Sequence, residues 1–163
     1  MDFSGLHTCP AMVVTDCEAE SDEEVIALLS ELARERNYVN EVFKEKILER
    51  EREFPTGLPT EVPIAIPHVH DGCLESFFSV AVMKKPVAFQ PMDGSEAPVM
   101  SRIVFLFGIT DPSHQTEVLG KFCTIFQNAE LLYHYIATKD RELLLNRLTE
   151  DLGCMIRQSP AKI

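Results

Sequence analysis

Two histidines separated by one valine, His68 and His70, close the segment Ile-Ala-Ile-Pro-His-Val-His-Asp-Gly at residues 64–72. A third, His114, follows Asp-Pro-Ser, and Arg52 lies near the end of a charged run upstream. An imidazole near neutrality can serve as metal ligand, base or nucleophile. Three chemistries therefore compete for these residues. Neutral imidazoles suit zinc, so a metal-dependent hydrolase using His68, His70 and His114 is one candidate. Its spacing support is weak, because an H-x-H start is normally accompanied by a partner acid at the right offset, and here Asp71 and then Gly72 follow directly. Cysteine catalysis is the second. Cys73 lies five residues from His68, but a thiolate needs a base within hydrogen-bond reach, and closeness in sequence does not supply one. An inert buried thiol is the simpler reading.

Phosphoryl transfer is the third. A histidine nucleophile needs an unprotonated, reachable nitrogen. It also needs a partner to orient the ring and donors to hold a dianionic group. His68 follows a short apolar stretch, and Pro67 stiffens its approach. Arg52, just before the Pro55-Thr56-Gly57 turn, is placed to clamp a phosphate. His114 falls in the first turn of an expected helix, where free N–H groups and a partial positive charge favour an anion. Taken singly, each of these residues also reads as an ordinary exposed polar side chain.

The elements around them follow from local patterns. Residues 11–15 form a β-prone run. Ser21 with Glu24 has capping-box spacing, and Val25, Ile26, Leu28, Leu29 and Leu32 make one apolar helix face. Asn40 can cap a second helix, with Val42, Phe43, Ile47 and Leu48 inward, which fades before Pro55. Residues 55–63 are a turn-rich loop, and 64–66 a very short buried strand with His68 in the loop beyond. Residues 76–85 are a strand that Pro86 should break, leaving 87–89 as an edge. Residues 101–109 lack polar alternation and should be the central strand. Three helices should follow, opened by Asp111 with Pro112, then by capping residues near 128 and 140. Helices before, between and after strands predict a single layered α/β domain, a mixed β-sheet with helices on both faces, over residues 1–163 with its core at about 11–150.

Composition narrows the partners. A formal net charge of −11 repels nucleic acid and anionic membranes unless a local basic patch intervenes. The densest basic run interleaves with acids and reads as a solvated helix face. No stretch is long and apolar enough for direct membrane insertion, and residues 1–14 lack a secretory pattern, so a cytoplasmic setting is expected. Five irregularly spaced cysteines without C-x-x-C argue against a disulfide framework or zinc knuckle. His7 and His134 receive no role, and His134 reads as a structural residue within an apolar helix.

Taken together, "EREFPTGLPTEVPIAIPHVH" resembles the core of the type-2 IIA domains of the bacterial phosphoenolpyruvate-dependent sugar phosphotransferase system, the fructose/mannitol superfamily. An R-E-x-x-x-x-T-G-type segment is matched at Arg52, Glu53, Thr56 and Gly57, and the I-A-I-P-H strand end at Ile64 to His68. "FGITDPSHQTEVL" supplies a second histidine, His114, at the start of the helix after the hydrophobic strand, and "LLNRL" resembles the closing helix. The likeness runs from about Val13 to Leu148. Val69 and His70 depart from the small residue or glycine usual after the reactive histidine, and the tail from Gly153 matches nothing in the family. The pattern Lys84-x-Pro86-Val87-x-Phe89-x-x-Met92 resembles a galactitol-type branch.

The resemblance implies a phosphotransferase. His68 would accept a phosphoryl group from a histidine-phosphorylated carrier protein and pass it to a IIB component of a sugar or hexitol transporter, with no metal or organic cofactor. His114 would orient the group and Arg52 would neutralise it, with His70, Glu53 and Thr56 in a secondary tier. Phe54, Leu58 and Val69 would form the docking centre within an acidic rim. The chain would be a stand-alone IIA subunit. A regulatory IIA-like module, controlling other proteins by its phosphorylation state, would use the same histidine.

Overall fold

Apolar residues alternate between two faces along the paired strands at the middle of the molecule, and this sets the architecture. The computed structural model describes residues 5–153 and the backbone of 156–158. Strands β1 (Leu6–Thr8), β2 (Val13–Cys17), β3 (Gly57–Leu58), β4 (Ile64–Ala65), β5 (His68–Val69), β6 (Phe77–Phe89), β7 (Val99–Gly108) and β8 (Ile156–Gln158) join one sheet. Its main path runs β3-β4-β7-β6-β1-β8, with β5 also on β7 and β2 also on β6. The β6–β7 pair is antiparallel, while β4 and β5 run parallel to β7.

Phe77 and Ala81 of β6 point with Val104 and Leu106 of β7 to one face, where α1 (Asp22–Glu35) and α2 (Phe43–Glu53) cover them through Val25, Leu29, Phe43 and Ile47. Phe78, Val80, Phe105 and Phe107 point to the other, beneath α3 (Gln115–Phe126), α4 (Ala129–Ala137) and α5 (Arg141–Leu152). The expected α/β domain with a mixed sheet and helices on both faces is what the chain forms. Phe122 lies at the aromatic centre of the second face, with Phe105, Phe107 and Phe126 at ring centroid distances of 5.9, 5.3 and 5.6 Å. Truncating such a ring costs about 3–5 kcal/mol.

The helix starts follow the capping residues. Ser21 Oγ accepts from Glu24 N–H at 3.1 Å, Asn128 Oδ1 from Leu131 N–H at 3.1 Å, and Asp140 Oδ1 from Glu142 and Leu143 N–H at 2.9 and 3.1 Å. Each satisfies donors that the first helical turn cannot.

Several expectations need correction. Helix α2 begins at Phe43, because Asn40 Oδ1 accepts from Val42 N–H at 3.0 Å and so caps a turn ahead of the helix. Val42 is exposed, not inward. Asn40 N–H donates to the Gly72 carbonyl at 2.9 Å. Gly72 has φ +79°, and a Cβ there would lie 2.8 Å from Asn40 Oδ1, so glycine is required where the chain after His70 meets α2. Pro86 does not end its strand. Strand β6 continues through it with a register shift between Val82 and Val87, an irregularity of the kind that tolerates proline.

His68 is not a loop residue: it pairs with Phe107 in the β5–β7 ladder, just past a break at Ile66-Pro67. The strands β1, β3 and β8 went unforeseen, being two or three residues long. His134 is exposed, so the reading of a structural histidine fails. Cys9, Cys17, Cys73 and Cys123 are free thiols, and Cys154 lies outside the described residues. No described helix is long and apolar enough to cross a membrane.

Candidate functional site

The ladder position buries His68 to 8% exposure at the rim of the sheet. Its ring stacks on Phe107, with centroids 5.2 Å apart and planes within 10°. Its Nδ1 lies 2.7 Å from the Ile66 carbonyl oxygen. A carbonyl only accepts, so Nδ1 carries the hydrogen and Nε2 keeps its lone pair. Burial holds the His68 pKa below the usual imidazole value. The Ile66 carbonyl opposes that shift and the Arg50 guanidinium adds to it. The result is a neutral imidazole with a fixed tautomer, oriented by stacking on one side and a hydrogen bond on the other.

Two adjoining clefts meet at this ring, and Arg50, Glu53, His68 and Gln115 line both. Lys46, Glu49, Val69, His70, Asp71 and Pro112 complete the first, while Phe54, Thr56, Met92 and Asp93 border the second. Arg50 lies over the Phe54 ring, 4.4 Å from its centroid, which restrains the guanidinium beside the opening.

Arg52 is not in the site. Residues two apart on a helix point about 200° from each other, and Arg52 turns towards α1, 3.8 Å from Glu23 Oε1. The expected neighbour of His68 is therefore replaced by Arg50. The doubled Arg-Glu-Arg-Glu run concealed this. An R-E-x-x-x-x-T-G spacing counted back from Thr56 and Gly57 falls on Arg50 and Glu51.

Glu51 is the main residue that sequence reasoning missed. It is buried on α2 in line with Phe43 and Ile47, at spacings of four, and this stripe was the available signal. Its Oε2 accepts from Thr56 N–H at 2.8 Å and its Oε1 from Thr56 Oγ1 at 2.7 Å. Burial is the main cause that pushes its pKa up to about 7, against the two Thr56 hydrogen bonds. Of the secondary tier, Glu53 lines both clefts, Thr56 is buried under Glu51, and His70 is half exposed with Nε2 3.4 Å from Asp71 Oδ1. His114 ends the 3₁₀ turn Pro112–His114, and its neighbours Pro112 and Gln115 line the first cleft. Asp111 Oδ1 caps that turn by accepting from Ser113 N–H at 3.0 Å.

The geometry gives no support to the two other chemistries. Among the described residues no group of three His, Cys, Asp or Glu is placed to hold a metal ion, so His68, His70 and His114 are not gathered into such a set. Cys73 donates to the Val69 carbonyl at 3.4 Å, and burial pushes its pKa up to about 12, so its thiol stays protonated.

Residues 9–151 match the family described as phosphoenolpyruvate-dependent sugar phosphotransferase system, EIIA 2. The chain belongs to that family. EIIA type-2 domains act as phosphotransferases through a phosphohistidine. Among solved structures, this EIIA chain is similar to the nitrogen regulatory protein IIA-Ntr from Neisseria meningitidis, at 20% identity and TM-score 0.73, over 88% of this chain and 97% of that one. It is similar to the mannitol IIA from Escherichia coli at 20% identity and TM-score 0.72, over 90% and 99%. It is also similar to the cryptic mannitol-specific enzyme IIA of Escherichia coli at 16% identity and TM-score 0.68, over 94% and 99%. At these identities the likeness is one of fold. No curated protein matches the chain, and none of these structures is a galactitol protein.

Proposed function

We propose that His68 of this EIIA domain is the acceptor in a phosphoryl relay, taking the group from a histidine-phosphorylated carrier protein and passing it to a IIB component of a sugar or hexitol transporter. The observation that carries this reading is the His68 ring itself, held at Nδ1 by the Ile66 carbonyl with its lone pair on Nε2 beside Arg50. In the forward step the Nε2 lone pair attacks phosphorus. The bond from phosphorus to the carrier's imidazole nitrogen breaks, and that nitrogen leaves with the electron pair. His68 then bears phosphorus on Nε2 and hydrogen on Nδ1, so its ring is positive. The Nδ1–H bond to Ile66 becomes charge-assisted and strengthens. Arg50 offers two-pronged neutralisation of the phosphoryl oxygens, and the Gln115 amide, shared by both clefts, offers a further donor. His114 and His70 act around this centre, His114 from the turn that frames the cleft. Passing the group on repeats the displacement with phosphorus moving from Nε2 to the next nucleophile.

The surroundings favour a protein partner of basic character. Glu49, Glu53, Asp71 and Asp93 line the two clefts, and such a rim accelerates encounter with a cationic surface. Exposed Phe54 and Met92 supply apolar contact. Of the other two residues expected there, Val69 lines the first cleft while packing in part against one core, and Leu58 packs against the other core. The finer assignment to a galactitol-type branch draws on the Lys84 to Met92 pattern, whose last residue reaches the wall of the second cleft. The regulatory reading shares His68 and differs in the receiver of the group.

Incubation with phosphoenolpyruvate, the general enzyme I and the carrier should label the wild-type chain with an acid-labile, base-stable phosphate. His68→Ala should lose the label. A His68→Ala chain that still labels, with the label lost in His70→Ala, would move the acceptor. Onward transfer of the label to a IIB component separates relay from regulation.

A further inference from the structure

A buried carboxylate costs desolvation energy that an apolar side chain avoids. Phe43 and Ile47 fill the inner stripe of α2 with carbon, and Glu51 ends it with charge. The hydrogen bonds leading away from Glu51 run to the nucleophile. Glu51 engages both donors of Thr56, at 2.8 and 2.7 Å. The Thr56 carbonyl accepts from Ile66 N–H at 3.3 Å. The Ile66 carbonyl accepts from His68 Nδ1–H at 2.7 Å. The peptide unit carrying that last carbonyl ends in Pro67, so it has no N–H of its own to anchor it. Its direction depends on its neighbours, and the Ile66 N–H link to Thr56 is one of them. Gly57, next to Thr56, is locked to β6's end by bonds from its N–H to the Gln90 carbonyl and from Met92 N–H to its own carbonyl, at 3.0 and 2.8 Å.

We propose that Glu51 is a positioning residue for phosphoryl transfer, pinning Thr56 so that Ile66 holds His68 in its Nδ1–H tautomer and α2 presents Arg50 to the cleft. This rests on the reading of His68 as acceptor. The charged groups near Glu51 are Asp22 and Glu23 of α1 and Arg52 of α2, which share a small cleft with it. Asp22 adds to the upward pKa shift that burial causes. Glutamine at 51 would keep one acceptor for Thr56 N–H and one donor for Thr56 Oγ1, and so would keep the pin without the charge.

The test uses the full chain with ring-labelled histidine, unphosphorylated, read by nitrogen NMR, alongside single-turnover acceptance from the phosphorylated carrier. Wild type and Glu51→Gln should show a single Nδ1–H tautomer at His68. Glu51→Ala should show mixed tautomers and about tenfold slower acceptance, with carrier affinity changed less than about twofold. Thr56→Val, which keeps the N–H bond and loses the hydroxyl one, should fall between, and it carries the test if Glu51→Ala does not fold. A pure Nδ1–H tautomer and wild-type rate in Glu51→Ala, or in Thr56→Val, would overturn the proposal. So would a Glu51→Gln chain with mixed tautomers. If the wild type takes no phosphate on His68, the relay fails, and the tautomer measurement still judges the pin by itself.

Discussion

The last turn of α2 has two sides built from the same two residue types. On one, Arg50 and Glu53 face His68 across an open cleft. On the other, Glu51 is buried against Thr56, and Arg52 lies at the surface near Glu23. Charge alone does not distinguish the pairs. What separates them is the helical phase against the sheet, which makes one arginine a candidate phosphate ligand and the other a solvated partner worth little to stability. The same phase makes one glutamate a rim charge and the other a buried acceptor of two hydrogen bonds. Function at this helix end is a matter of angle about an axis, which composition does not report.

The contrast can be broken most directly by exchanging which arginine is removed. Arg50→Ala should slow phosphoryl acceptance by about 100-fold, the scale of losing a principal charge-stabilising donor. Arg52→Ala should stay within about threefold of wild type. Single-turnover rates for both variants decide this, and a larger loss in Arg52→Ala would place the reactive side of the helix opposite to where we assign it.

The buried glutamate gives the next effect. Because burial raises the Glu51 pKa to about 7, the stabilising protonated form is fully present below the unfolded value of 4.5. That contribution is lost as pH rises through about 7. Glu51→Gln, which cannot ionise, should therefore gain stability relative to wild type between pH 4.5 and 8, by up to about 3 kcal/mol. Urea unfolding at a series of pH values measures it, and a gap that narrows with rising pH contradicts the burial argument. The smallest effect sharpens the assignment of sides. The His68 ring should titrate below 6.5 in wild type, chiefly because it is buried. Removing the Arg50 charge should move that titration upward, and removing Arg52 should leave it in place. A proton or nitrogen NMR titration reads both.

Much of this was legible because it is local. Ser21, Asn128 and Asp140 cap helices through bonds to residues two or three positions ahead, so their signals lie within a few letters. The central strand announced itself by lacking polar alternation, since both faces of its Ile103–Gly108 run are covered. Strands of two residues such as β3 and β5 contain no repeat to detect, so His68 reads as a loop residue from sequence. Pro86 read as a break because the bulge that accommodates it is a property of the β6–β7 register. Arg50 was within reach through the Phe43, Ile47 and Glu51 stripe, but the doubled Arg-Glu run offered two registers.

By itself the sequence determined the layered α/β class, the reactive imidazole as a candidate and the family whose pattern surrounds it, because helix periodicity, capping and motif spacing act over short distances along the chain. Tertiary structure decided which arginine meets that imidazole, which glutamate is buried, and which ring nitrogen is left with the lone pair. Those choices depend on bonds between residues 51, 56, 66 and 68 and on the packing of α2 against the sheet. Such partners meet only when separate elements have docked, so no window of sequence contains them.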